Sequence, residues 1–86
     1  MRKDELRELI GSLIESAGLS SEPLHVMLFK KNTFCLFYNG RIFGWYNSRT
    51  RIFKREKGER YHIYEEGRER MTQVLLDAIN QTKLSV

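Results

Sequence analysis

Both ends of the chain repeat their apolar residues with the period of an amphipathic helix. The i, i+3, i+4, i+7 spacing predicts one helix over about residues 4–17 and another over about residues 68–82. Asp4 is a candidate N-cap of the first helix, and Gly18 is a candidate terminating glycine. The apolar stripes are Leu6, Leu9, Ile10, Leu13, Ile14 and Ala17 in the first helix, and Met71, Val74, Leu75, Ala78 and Ile79 in the second.

Between the helices the apolar period changes to two, and turn signals recur. Asn39-Gly40 is the strongest hairpin signal of these. The element order predicts a single α+β domain over residues 1–86 with two layers: an N-terminal helix, an antiparallel meander of three to five strands, and a C-terminal helix. The predicted strands are 24–30, 33–38, 41–46, 49–55 and 60–65, and the predicted two-residue turns are Lys31-Asn32, Asn39-Gly40, Asn47-Ser48 and Lys57-Gly58.

Two-residue turns fix which side chains share a face of the sheet, because strand side chains alternate. One face should form the core with the helices: Phe34, Leu36, Phe43, Trp45, Ile52 and Ile63, joined by Met27 and Phe29 if Lys31-Asn32 is also a turn. The opposite face collects the candidate nucleic-acid-binding residues, namely Arg49, Arg51, Arg55, Arg60, Tyr46, Phe53, His62 and Tyr64. One extra residue in the Asn47-Ser48 turn would send Arg49 and Arg51 elsewhere.

The charge is concentrated in the middle of the 86-residue chain, whose net charge is +4. Residues 24–60 carry nine basic and two acidic side chains, a net of +7, and all ten aromatic residues fall between Phe29 and Tyr64. Arginines pair with phosphates and rings stack on bases, so this composition favours a non-catalytic module that binds nucleic acid, single-stranded in preference to duplex. The pattern leaves RNA and DNA equally open.

Two alternatives fit the same residues. The rings could form the core of a sheet whose arginines lie at a solvated edge. Arginine and tyrosine are also common in protein interfaces, so a protein partner fits the same composition. The apolar residues of the opposite face could form a dimer interface or take one of the helices: Val26, Leu28, Cys35, Phe37 and Ile42. The alternative with a protein interface is a small regulatory or accessory factor, of the kind found in phages and viruses, existing as a monomer or a homodimer.

The sequence offers little for catalysis, metals or cofactors. Its single cysteine, Cys35, and its two histidines lack zinc-ligand spacing, and no glycine-rich phosphate loop is present. We therefore expect a non-enzymatic protein without metal or cofactor. A minor alternative is a metal-independent ribonuclease, with His62 as general acid or base beside arginines. A lone cysteine and the lack of a 20-residue apolar run favour a cytoplasmic protein without a membrane span.

Residues 5–55 carry a family resemblance. The opening helix ELRELIGSLIESAG is followed by VMLF, LFYNGRIFGW and RIFKR. This order resembles the TfoX N-terminal domain family and, more distantly, small YjbR-type domains. Lys30-Lys31-Asn32 departs from the glycines usual there. The resemblance implies an α+β regulatory domain linked to competence, with nucleic-acid or protein partners and no catalytic residue.

Overall fold

The computed structural model describes residues 1–56 and 58–84 and confirms the α+β architecture. All five strands form one antiparallel sheet in the order β1-β2-β3-β4-β5. The elements are α1 (Lys3–Glu15), β1 (Leu24–Lys30), β2 (Thr33–Tyr38), β3 (Arg41–Asn47), β4 (Ile52–Arg55), β5 (Arg60–His62) and α2 (Arg68–Leu84).

The two helices lie side by side on one face of the sheet, where α1 packs on β1 and α2 packs on β3. Their predicted stripes are buried, apart from the partly buried Leu9 and the exposed Ala17. Polar contacts join the helices: the Thr72 hydroxyl donates to the Leu13 carbonyl (3.3 Å), and the Arg68 guanidinium donates to the Ser12 hydroxyl (3.0 Å). The other face of the sheet, called the open face below, still exposes large apolar side chains such as Met27 and Ile42.

Several element boundaries differ from the prediction, and three of them affect a cap or a turn. Helix α1 begins at Lys3 with Arg2 as its N-cap, so Asp4 lies inside the first turn and does not cap it. Strand β4 begins at Ile52 instead of residue 49, because Asn47 builds a longer loop: its side-chain oxygen accepts the N–H groups of Arg49 (2.9 Å) and Thr50 (3.0 Å). The Asn47-Ser48 two-residue turn is therefore wrong, since Asn47 pairs with Ile52.

Strand β5 ends at His62, short of the predicted residue 65. The backbone N–H groups of Glu65 and Glu66 both donate to the His62 carbonyl (3.1 Å each), which closes a turn there. The predicted Lys57-Gly58 turn includes Lys57, which lies outside the described residues. Next to it, Gly58 has a φ of +91° and donates its N–H to the Arg55 carbonyl (3.1 Å).

A one-residue bulge in β3 reverses the predicted faces of the central strands. The Asn39-Gly40 turn pairs Tyr38 with Arg41 as expected, but Leu36 then pairs with Gly44, which leaves Phe43 without a partner residue. Beyond that point every side chain changes face. Tyr46 and Phe53 therefore lie in the core, and Trp45 and Ile52, predicted in the core, lie on the open face.

A second bulge, in β1, exchanges the predicted faces of that strand in the same way. Lys30 pairs with Thr33, as the predicted two-residue turn at Lys31-Asn32 requires, but Leu28 pairs with Phe34, so Phe29 is the extra residue. Val26 is consequently buried opposite Leu36. The predicted core positions of Met27 and Phe29 are wrong, because both side chains are more than half exposed.

The packing of Phe53 explains why β3 has a glycine beside its bulge. Gly44 pairs with Arg55, and the Phe53 ring covers the space that a side chain at Gly44 would occupy. A Cβ added to Gly44 would overlap that ring and lie 2.8 Å from the Lys54 carbonyl oxygen. Phe53 itself is fully buried and packs against Phe43, with ring centroids 6.2 Å apart. The sheet thus needs a glycine at this position to hold the Phe53 ring.

We expect Gly44→Ala to lower the free energy of unfolding by about 1–3 kcal/mol or more, because the buried ring and the backbone must both shift. Urea denaturation of the purified variant measures this change.

The matched control is Gly11→Ala in α1. The nearest atom to a Cβ there is the Ser21 Cβ at 3.3 Å, and alanine is favoured over glycine in a helix by about 1 kcal/mol. Equal unfolding midpoints for the two variants would contradict the packing role assigned to Gly44.

Candidate nucleic-acid interface

Three of the predicted nucleic-acid-binding residues are turned into the core. Tyr46 and Phe53 are 0% exposed, and Arg55 is 8% exposed. The Arg55 guanidinium lies 3.5 Å from the Glu59 carboxylate, and the Tyr61 hydroxyl donates to that same carboxylate. Arg55 is therefore already paired with a carboxylate beneath the sheet. The predicted position of Tyr46, Phe53 and Arg55 on an open basic face is wrong, because the β3 bulge moves all three to the helix side of the sheet.

Arg51 and Tyr64 form a separate pair at the end of the sheet. The Arg51 guanidinium lies 5.1 Å from the centroid of the exposed Tyr64 ring, a cation–π contact. The His62 ring meets Tyr64 edge-on at 6.4 Å, and its Nδ1 accepts the Glu65 N–H at 3.2 Å. Arg49 is exposed in the loop before β4. Arg51, His62 and Tyr64 therefore lie together at one corner of the sheet, and Arg49 precedes Arg51 by two residues in the chain. None of the four lines the groove on the open face.

Two rows of register partners cross all five strands on the open face. One consists of Lys30, Thr33, Asn47, Ile52 and His62. In the other, each member is the register partner of the next, in the order Met27, Cys35, Trp45, Lys54 and Arg60. This second row changes from apolar at β1 to cationic at β5. We call it the cross-strand row. Arg60 belongs to it and is the one predicted binding residue that lies in the groove.

The groove occupies the β3–β5 half of this face and extends to the end of β1. Its volume is about 520 Å³. The lining contains two rings, three cations and no carboxylate. Lys30 lies over the Phe29 ring, with its Nζ 5.9 Å from the ring centroid. The lining residues are Phe29, Lys30, Thr33, Trp45, Asn47, Thr50, Ile52, Lys54 and Arg60.

Lys54 and Arg60 face each other directly across β4 and β5. Like charges in directly opposed positions destabilise a sheet. Within residues 1–56 and 58–84, neither side chain lies in an ion pair. An anion between them would relieve the repulsion, so the arrangement favours a negatively charged ligand beside Trp45.

The sequence prediction missed eight of the nine groove residues, including both rings and two of the three cations: Trp45, Phe29, Lys54 and Lys30. The apolar alternation places Trp45 and Phe29 in the core only if each hairpin is free of bulges. One signal was present in β3, since a glycine inside a strand, here Gly44, often marks a bulge or a close approach. β1 contains no glycine, and nothing in its sequence marks the bulge at Phe29.

The buried Tyr46 hydroxyl has no hydrogen-bond partner among the described residues. The pKa of Tyr46 is raised from 10.0 to about 12, because burial and, to a lesser degree, nearby Tyr64 raise it more than Arg51 lowers it. The folded protein therefore holds the phenol proton more tightly than the unfolded chain. This contribution to stability is fully present below pH 10 and is lost as the pH rises from 10 to about 12.

We expect Tyr46→Phe to be as stable as the wild type at neutral pH, or about 1 kcal/mol more stable, because the change removes an unpaired buried hydroxyl. Above pH 10 the variant should gain a further 1–2 kcal/mol, roughly, relative to the wild type, since phenylalanine cannot ionise. Urea denaturation at neutral pH and at about pH 11 measures the difference.

Tyr38→Phe is the control, because it removes a buried hydroxyl that does have a partner, the Ser20 carbonyl at 2.7 Å, and it should lower the stability at neutral pH. A Tyr46→Phe variant that is less stable at both pH values would show that the hydroxyl is paired after all.

The comparisons with known proteins give no relative for this fold and groove. No family model matches the chain, and neither the curated proteins nor the solved structures contain a match. The resemblance to the TfoX N-terminal domain family stays a prediction.

Residues 1–56 and 58–84 contain no membrane-spanning helix and no cluster of metal-ligating side chains. Neither helix is both long and apolar enough to cross a membrane. No group of three histidine, cysteine, aspartate or glutamate residues there could hold a metal ion.

Proposed function

We propose that this protein is a small non-catalytic module that binds single-stranded nucleic acid in the groove of its open face. The observation that carries the proposal is the basic end of the cross-strand row, where Trp45, Lys54 and Arg60 lie side by side on neighbouring strands. A ring beside two unpaired cations supplies a stacking surface and phosphate contacts within one site.

The shape of the groove favours single strands over a duplex. Trp45 lies partly buried in a concave surface, between Cys35 and Lys54 in the cross-strand row. A base can stack on such a ring only when it is not already stacked between the neighbouring bases of a duplex. Stacking of this kind is worth about 1–3 kcal/mol per base and tolerates any base. The module should therefore bind with weak sequence preference and strong dependence on salt.

The first test replaces both groove cations, in Lys54→Gln with Arg60→Gln. We expect the affinity for a labelled single-stranded oligonucleotide to fall at least tenfold or so at moderate salt, because two phosphate contacts are lost. The slope of log affinity against log salt should become shallower by about 1.4, the value for two phosphate contacts on a single strand. Fluorescence anisotropy at several salt concentrations measures both.

The matched control is Arg49→Gln with Arg51→Gln, which removes the same charge from residues outside the groove. This control should retain most of the affinity and of the salt slope. Equal losses in the two double variants would mean that net charge alone attracts the strand, and the groove would then have no specific role. A third variant, Trp45→Ala, should lose about 1–3 kcal/mol of binding energy for single strands through the missing stack.

A second candidate function is association with protein. It is favoured by Met27, Leu28 and Phe29, consecutive apolar side chains that are 58%, 63% and 62% exposed on β1. Side chains of this size seldom stay exposed together without a partner.

A further inference from the structure

Strand β1 is an edge of the sheet, and the alternation of its hydrogen bonds shows which backbone groups are free. The Asn39 N–H donates to the Pro23 carbonyl (3.1 Å), so the pair Pro23 and Asn39 is of the hydrogen-bonded type. In an antiparallel ladder these pairs alternate with pairs that do not bond each other. His25 and Met27 therefore direct their backbone groups toward β2. Val26 and Leu28 direct theirs toward the free edge.

The free part of this edge is bounded on both sides. At Leu24 both outward backbone groups already have partners within the chain. The Leu24 N–H donates to the Ser21 carbonyl (3.0 Å), and the Leu24 carbonyl accepts the Arg7 Nε–H (3.0 Å). At the other end, the bulge at Phe29 breaks the regular pairing. Between these limits lie Val26, Met27 and Leu28, with Met27 at the centre.

Natural proteins guard edge strands with charges, prolines or bulges. The proline and the lysine of this region lie only at the two ends of β1: Pro23 directly precedes the strand, and Lys30 is its last residue. The free middle of the edge bears large apolar side chains that are more than half exposed. Such an edge is a template for another strand.

We propose that two copies of this chain pair through β1, antiparallel about a two-fold axis at Met27, to form one continuous ten-stranded sheet. Val26 of each copy then exchanges backbone hydrogen bonds with Leu28 of the second copy, so that every free group between the two limits gains a partner. Met27 faces Met27 of the second copy across the axis. A register centred on Val26 instead would need the Leu24 carbonyl, which Arg7 already occupies.

Charge and burial favour a second copy as the partner. Antiparallel pairing brings the basic end of β1, Lys30 and Lys31, beside the end that carries Glu22 in the other copy. Within the described part of the chain, Glu22 forms no ion pair of its own. The same pairing covers Met27 and Phe29 on the open face and Leu28 on the helix face. One register therefore buries all three exposed apolar side chains of β1.

The first test uses residue 27, because it lies opposite residue 27 of the second copy only in this register. We expect the wild type to show a mass twice that of the chain in light scattering at high concentration. Met27→Lys and Met27→Glu should each be monomeric, because like charges would face each other at the axis. An equal mixture of the two variants should recover the doubled mass as a heterodimer.

The second test is a cross-link that does not depend on a charge within the sheet. In a Cys35→Ala background, Met27→Cys should form a disulfide dimer under mild oxidation. The two Cα atoms would lie about 4.5 Å apart in a pair that does not bond through its backbone, and disulfides span about 4.4–6.8 Å. Cys35 must be removed because it faces Met27 within the chain. Phe29→Cys in the same background is the control, since its copies would be roughly 13 Å apart.

A wild type that stays monomeric at all concentrations overturns the proposal. So does a dimer that survives Met27→Lys, or one in which the Met27→Cys variant cross-links no faster than the Phe29→Cys control. These results do not depend on nucleic acid, so the edge pairing and the binding groove fail or stand separately.

Discussion

The close approach of the Phe53 ring to Gly44 is the constraint on which both faces of the sheet depend. The ring can enter the core only because Gly44 has no side chain, and only because the bulge at Phe43 turns the rest of β3 over. Once Tyr46 faces the helices, its neighbour Trp45 must face the opposite way. The stacking surface of the groove is therefore a consequence of how the core is packed.

The helices and strands could be predicted from the sequence, but the side of the sheet on which each strand residue lies could not. Helical stripes and the Asn39-Gly40 turn depend on spacing and on local backbone preference, so they can be read from neighbouring residues. A bulge depends on which distant ring fills the core. Beside Phe43, the core could take either Trp45 and Ile52 or Tyr46 and Phe53, and the apolar pattern fits either pair. A shift of one residue exchanges the faces, and this places Tyr46, Phe53 and Arg55 in the core. Arg49, Arg51 and Tyr64 lie outside the strands, and Arg60 is the predicted binding residue that lines the groove.

The cationic side chains discussed above fall into two groups: some have partners within the chain, and others face the groove. Arg55 lies under the sheet against Glu59, and Arg41 donates to the Thr82 carbonyl of α2 (2.9 Å), so both of these arginines have partners within the chain. Lys54 and Arg60 face each other with no carboxylate among the groove residues. The excess positive charge of residues 24–60 therefore overstates the charge free to bind a ligand. The position of a cation in the register decides whether it stabilises the fold or faces a partner.

The groove and the free edge meet at Phe29 and Lys30. Trp45, Lys54 and Arg60 lie on β3, β4 and β5, away from that edge, so pairing through β1 leaves this part of the groove accessible. Strands are spaced about 4.8 Å apart, and five steps separate Trp45 from Trp45 of a second copy paired through β1, a distance of roughly 24 Å. A short oligonucleotide would fill one groove and gain nothing from pairing. A strand long enough to reach both would bind the second groove at a high effective concentration. By linkage, such a strand would also stabilise the paired form, because it binds two joined copies more tightly than two separate ones.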